Sequence, residues 1–131
     1  MNDPSFLSLE DILFIHNQEI QAAGGEPNIR DNDGIKACVE APKASFSGEY
    51  LQDLFGMAAS YIACLTTRHP FVDGNKRTAL ASALTFLYLN GYGVEESHDE
   101  ELADLVLDFV TKKKSKEDVA KHLAAHVSLK D

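Results

Sequence analysis

Apolar side chains recur at the i, i+3, i+4, i+7 spacing of helices along almost the whole chain, with little strand-like alternation. Ser8 with Asp11 three residues on predicts a capping box. Leu9, Ile12, Leu13, His16 and Ile20 then form one stripe, ended at Gly24-Gly25. Asp31 predicts the cap of a short helix carrying Ile35 and Cys38 and finishing before Pro42. A longer helix is expected from near Ser47, because Leu51, Leu54, Phe55, Ala58, Tyr61, Ile62 and Leu65 fit the template. From Lys76 to Asn90 the chain is apolar on most sides (Leu80, Ala83, Leu84, Phe86, Leu87) with Gly91 as a left-handed stop, which predicts a helix in the middle of its domain. Ser97 and Glu100 predict a capping box for a helix with the stripe Leu102, Leu105, Val106, Phe109. Ser115 predicts the cap of a last helix with Val119, Leu123 and Val127. Extended backbone is expected only at Ala41 to Phe46 and in the GYGVE stretch at 91–95.

The expected fold is therefore all-α: one domain over residues 1–131, about six helices around a buried central one. At 131 residues and 44% hydrophobic, the chain can bury about two thirds of its unfolded surface, so folding needs neither metal nor cross-link. Cys38 and Cys64 are accordingly read as small buried thiols of a reducing cytoplasm. The longest apolar stretch, Ala79 to Leu89, is broken by Ser82 and Thr85 and falls short of the roughly 20 residues a membrane span needs. The acidic start MNDPSFLSLED has no secretion-signal pattern. A net charge of −9, from 21 acids against 12 bases, argues against direct nucleic-acid binding, which runs on phosphate neutralisation.

The candidate chemistry lies in residues 69–77, His-Pro-Phe-Val-Asp-Gly-Asn-Lys-Arg, between the two most apolar helices. Gly74 permits positive φ and close backbone approach, so neighbouring amides can turn towards one point. Those amides open the central helix, whose first N–H groups and macrodipole favour an anion, above all a phosphate. Lys76 adds a point charge and Arg77 a planar fork. Asp73 would repel phosphates unless a Mg²⁺ bridged them. His69 is placed to take a proton from an attacking hydroxyl, and Phe71 to plug the loop into the core. From these residues alone, the reaction class is transfer of part of a nucleotide to a hydroxyl. The competing reading takes Asp73 and Asn75 as ordinary helix caps and Gly74-Asn75 as an ordinary turn.

At these positions the chain resembles the Fic/Doc family, and within it the Doc (death-on-curing) branch. The family pattern H-P-F-x-[D/E]-G-N-[G/K]-R is met by His69-Pro70-Phe71-Val72-Asp73-Gly74-Asn75-Lys76-Arg77. The start at Ser8 to Asp11, Gly24-Gly25, Arg30-Asp31 before Gly34, the 49–65 helix, Arg77-Thr78-Ala79-Leu80, Asn90-Gly91 and Glu101-Leu102-Ala103-Asp104 also look Doc-like. The resemblance implies His69 as the activator of the target hydroxyl and Asp73 as the Mg²⁺ contact. It implies Gly74, Asn75, Lys76 and Arg77 as the phosphate-binding loop, with Phe71 as its hydrophobic anchor. A flap that aligns a target peptide is expected at 41–47, with Pro42 restricting strand pairing there.

Two departures bear on the reaction. AMP-transferring Fic enzymes have Gly where this chain has Lys76, and a second Arg where it has Leu80. The Doc-like arrangement implies an inverted nucleotide, with the γ-phosphate facing the hydroxyl, and therefore an ATP- and Mg²⁺-dependent protein kinase. The alternatives are AMP transfer to a protein hydroxyl and a catalytically silent partner of a toxin–antitoxin complex. The self-inhibitory pattern [S/T]-x-x-x-E-[G/N] has no match; Ser97 to Glu101 comes nearest but is followed by Leu102. Restraint is expected instead from an antitoxin with a flexible C-terminal segment. The expected substrate is elongation factor Tu, in a bacterial or phage-encoded setting in the cytoplasm.

Other polar features have plainer readings. Residues 95–108 hold seven acids and no Lys or Arg, and Lys112, Lys113, Lys114 and Lys116 follow, which matches a solvated helix with its dipole offset. His122 and His126 share the i, i+4 spacing of zinc-binding helices but have no third ligand in sequence. His16, on an apolar stripe, reads as a packed histidine. Arg68 pairs with either an acid or substrate.

Overall fold

The computed structural model describes residues 3–94 and 99–130. Its helices, among the described residues, are α1 (Leu9–Ala23), α2 (Asn32–Glu40), α3 (Leu54–Arg68), α4 (Asn75–Leu89), α5 (Asp99–Val110) and α6 (Lys116–His126). Four short strands complete it: β1 (Ser45–Phe46), β2 (Glu49–Tyr50), β3 (Tyr92–Val94) and β4 (Val127–Leu129). The expected all-α architecture is observed. Ser8 and Asp11 form a reciprocal capping box on α1, and Ser115 and Asp118 form one on α6. Asp31 caps α2 through the Gly34 amide. The capping box expected at Ser97 lies outside the described residues.

Helix α4 is the axle. It packs on α3, α1 and α5, and Thr78, Ala79, Ser82, Ala83, Phe86 and Leu87 are all buried. Small side chains at Ala58, Ala59, Ala79, Ser82 and Ala83 let α3 and α4 pack closely, and the core is filled by Tyr61, Phe86, Ile62 and Leu65. The Tyr61 hydroxyl accepts a hydrogen bond from the Leu7 amide at 3.0 Å, and burial pushes its pKa up to about 12. The segment before α1 is thereby tied to the centre.

Four expectations are corrected. The long helix does not start near Ser47 but at Leu54, capped by Asp53. Ser47 (φ 52°) and Gly48 (φ 83°) instead make the left-handed turn of a hairpin pairing β1 with β2, the backbone that two-residue hairpin loops require. Leu51, placed on the helix stripe by its spacing, is exposed. The extended segment and flap expected at 41–47 also shift. Ala41–Lys43 is a 3-10 turn with buried Pro42 near its start, so the hairpin spans 45–50 and Pro42 restricts no strand pair. Val127 leaves the last helix to begin β4, which pairs antiparallel with β3.

The fourth correction concerns the thiols. Cys38 on α2 and Cys64 on α3 form a disulfide, with their Cα atoms 5.4 Å apart. Two neighbouring helices present these positions to each other across a 26-residue separation, a proximity that spacing along the chain does not encode. Of the two histidines on the last helix, His126 has hydrogen-bond partners for its ring. The Glu101 carboxylate lies 2.7 Å from His126 Nε2, and the His122 carbonyl accepts from His126 Nδ1 at 2.7 Å. Together these raise the His126 pKa. Among the described residues there is no group of three or more metal-ligating side chains.

Candidate active site

Residues 69–74 connect α3 to α4, so the two best-packed helices carry the loop. Helix α3 stops because His69 takes a left-handed backbone (φ 53°, ψ 53°), a conformation histidine tolerates better than most residues. The chain then turns inward to bury Phe71 completely. Asn75, 4% exposed, locks that turn. Its Oδ1 accepts from the Phe71 amide at 3.0 Å and its Nδ2 donates to the Phe71 carbonyl at 2.8 Å, which fixes the orientation of the amide. Nδ2 also lies 3.0 Å from His69 Nδ1. Since Nδ2 can only donate, Nδ1 accepts, and the neutral His69 ring carries its proton on Nε2.

A second segment holds the loop from outside. The amides of Arg30 and Asp31 donate to the Pro70 carbonyl at 2.8 and 2.9 Å, and the Val72 amide donates to the Asn28 carbonyl at 3.1 Å. Arg30 Nε reaches the His69 carbonyl at 3.0 Å. The Glu26 amide donates to Asp73 Oδ2 at 2.8 Å, and Arg77 Nη2 donates to the Gly24 carbonyl at 3.0 Å. From below, His16 stacks on Phe71 with ring centroids 3.7 Å apart and planes 6° apart, and its Nε2 lies 2.8 Å from the Asp73 carbonyl.

Gly74 begins α4 at φ 82°, and no side chain caps that helix. A Cβ on Gly74 would stand 3.3 Å from Ile20 Cδ1 and 3.4 Å from Arg77 Nη2, so glycine is needed for both backbone and space. Helices α1, α2, α5 and α6 carry acids in their first turns; α4 carries Lys76 and Arg77 instead. Two cations at the positive end of a helix are unfavourable, by about 0.3–1 kcal/mol each at low salt, until an anion arrives.

These groups open on one cavity of about 400 Å³, lined by His69, Val72, Asp73, Gly74, Asn75, Lys76 and Arg77. That is within the range of small-molecule sites. Beside it, Leu80 lines a mainly apolar cavity of about 310 Å³ together with Lys76, Arg77, Ala103, Asp104, Val106 and Leu107. The structure thus brings six of the seven sequence-selected site residues to one cavity, with Phe71 buried beneath it. The Asn75 side chain is spent on Phe71 and His69, leaving its backbone amide at the helix start. Arg68 offers the loop its carbonyl, which accepts from Arg30 Nη2 at 3.4 Å. Sequence reading missed the roles of His16, Glu26 and Arg30. His16 had a visible signal, a polar ring on a buried stripe, and Arg30 one only in the family-like Arg30-Asp31 pair. The Glu26 contact runs through its backbone amide, and Arg30 grips a carbonyl.

Residues 6–87 match the family model described as "Fic/DOC family". The chain is 38% identical over 105 residues to "Protein kinase doc" of Escherichia phage P1, covering 80% of this chain and 82% of that protein. It is 36% identical over 121 residues to "Toxin Doc" of Mycolicibacterium smegmatis, covering 91% of each.

Proposed function

Because the chain belongs to the Fic/Doc family, we propose that it is the toxin of a toxin–antitoxin pair and acts as an ATP-dependent protein kinase. The expected acceptor is a Ser or Thr hydroxyl of a translation factor, elongation factor Tu by family resemblance, so that translation stalls in the cytoplasm. An antitoxin with a flexible C-terminal segment is the expected restraint. One observation carries the reading: an uncapped, glycine-opened helix start bearing Lys76 and Arg77 faces the same cavity as Asp73 and His69.

The residues present fit Mg-ATP. Asp73 has one oxygen held by the Glu26 amide, and the other accepts no hydrogen bond among the described residues, leaving one carboxylate oxygen for a cation. A single carboxylate plus phosphate oxygens is an ordinary Mg²⁺ environment. Such an ion would offset charge on the phosphate oxygens during transfer. The amides of Asn75, Lys76 and Arg77 precede the first intrahelical bond, from Thr78 to Gly74, and are available to an anion. By family resemblance, Lys76 stands where AMP-transferring relatives keep a glycine to leave room for further phosphates, and Leu80 supplies no second fork beyond Arg77. Both favour transfer of the terminal phosphoryl group over AMP.

In the transfer, the hydroxyl oxygen bonds to the γ-phosphorus, the bond to ADP breaks, and His69 receives the hydroxyl proton. In the arrangement described, the basic nitrogen of His69 is Nδ1, which Asn75 engages. The imidazole must therefore release Asn75 as the acceptor arrives.

ATP labelled at the α or the γ position, incubated with the purified chain and the translation factor, decides the chemistry. Transfer of γ label alone is expected, and transfer of α label would reject the kinase reading in favour of AMP transfer. His69→Asn should lower the rate by about 10²–10⁴ with little change in melting temperature, because asparagine tolerates the left-handed backbone at this position. Growth arrest by that variant would remove His69 from the mechanism.

A further inference from the structure

We infer that His16, outside the 69–77 loop, is a positioning residue for Asp73, and that its ring N–H sets how the loop presents its carboxylate. The inference rests on the Mg-ATP reading for its functional consequence but on geometry for its substance. His16 is 3% exposed on α1, and a ring nitrogen facing the protein interior needs a partner there. The partner of Nε2 is the Asp73 carbonyl at 2.8 Å. A carbonyl only accepts, which makes Nε2 the protonated nitrogen of the neutral ring.

The same residue lies flat against Phe71 and beneath Gly74, where a Cβ would come 3.6 Å from its Cδ2. It therefore touches the loop at the anchor, at the carboxylate residue and at the helix start. Asp73 is then fixed twice, through its carbonyl by His16 and through Oδ2 by the Glu26 amide. With the main chain held on one side and one carboxylate oxygen on the other, the second oxygen has little freedom in where it points. Partners of this kind, one step behind a metal ligand, are worth about 10- to 100-fold in metal affinity or activity when removed.

The test compares two substitutions of similar length. His16→Gln keeps an N–H donor near the position of Nε2; His16→Met removes it; both remove the aromatic stack. Calorimetric binding of ATP across a Mg²⁺ titration should show the half-saturating Mg²⁺ rising about tenfold in His16→Met and recovering most of the way in His16→Gln. Hydrogen exchange of the Glu26 and Val72 amides, which report the Asp73 carboxylate and the loop directly, should quicken roughly tenfold in His16→Met only. Equal impairment in both variants, or none in either, overturns the inference. Nitrogen-15 spectra of the unmodified protein give a check that needs no variant: the proton must sit on Nε2 of His16, and the opposite tautomer overturns the assignment. If the unmodified chain binds no Mg-ATP, the kinase reading falls, while the exchange and tautomer measurements still decide the role of His16.

Discussion

The loop at 69–74 and the hairpin at 45–50 each contain two residues with left-handed backbone. Each has a non-glycine residue in the left-handed region, His69 at φ 53° and Ser47 at φ 52°, and a glycine there, Gly74 at 82° and Gly48 at 83°. Their surroundings differ. The first buries Phe71 completely and is gripped by Asn75, His16 and the 26–31 segment; the second leaves Phe46 75% exposed and is closed by two residue pairs. A turn of unusual backbone is thus common to both, and what separates a site from a surface hairpin is a buried anchor with hydrogen bonds on either side. The rigid member suits the phosphate end of a reaction, and the exposed one suits contact with a protein target.

Removing the anchor is the strongest way to break this contrast. Phe71→Ala should cost about 3–5 kcal/mol in a urea melt, as expected for a fully buried aromatic; a loss below about 1 kcal/mol would mean that the loop holds itself. The disulfide comes next. Helix α2 starts beside Asp31, which binds the 69–74 loop, and leads at its other end towards the hairpin, while Cys38 ties it to α3. Reduction, followed by thermal melting, should lower stability by about 3.5 kcal/mol on a chain-entropy estimate for this separation. Exchange at 28–31 should quicken together with 69–72. Phe46→Ser should have the smallest effect on stability, within about 0.5 kcal/mol, because the side chain has little to lose. If the hairpin receives the target, that variant should raise KM for the protein substrate and leave KM for ATP alone. Equal changes in both would merge the two regions functionally.

The helices were legible because burial imposes their period: Ile12, Tyr61, Phe86, Leu102 and Leu123 all stand in the core where their spacing puts them. The candidate site was legible because its side chains are contiguous along residues 69–77. The hairpin was hidden by Leu51, which fits the helical period yet faces solvent, while Ser47-Gly48 resembles any surface turn. Most of the outer grip on the loop runs through main-chain atoms of residues 24–31, whose hydrogen bonds leave no side-chain pattern; the Arg30 guanidinium is the exception. The cross-link between Cys38 and Cys64 depends on how two helices lie together, which neither position announces.

The left-handed backbone at His69 bears on which substitution tests its proposed role without disturbing the fold. A β-branched replacement such as valine would strain the junction of α3 with the loop and distort the epitope along with the chemistry. Asparagine accepts that conformation readily, so His69→Asn is the substitution that disarms the molecule and still offers crystallographers, or a cognate inhibitor, its native face.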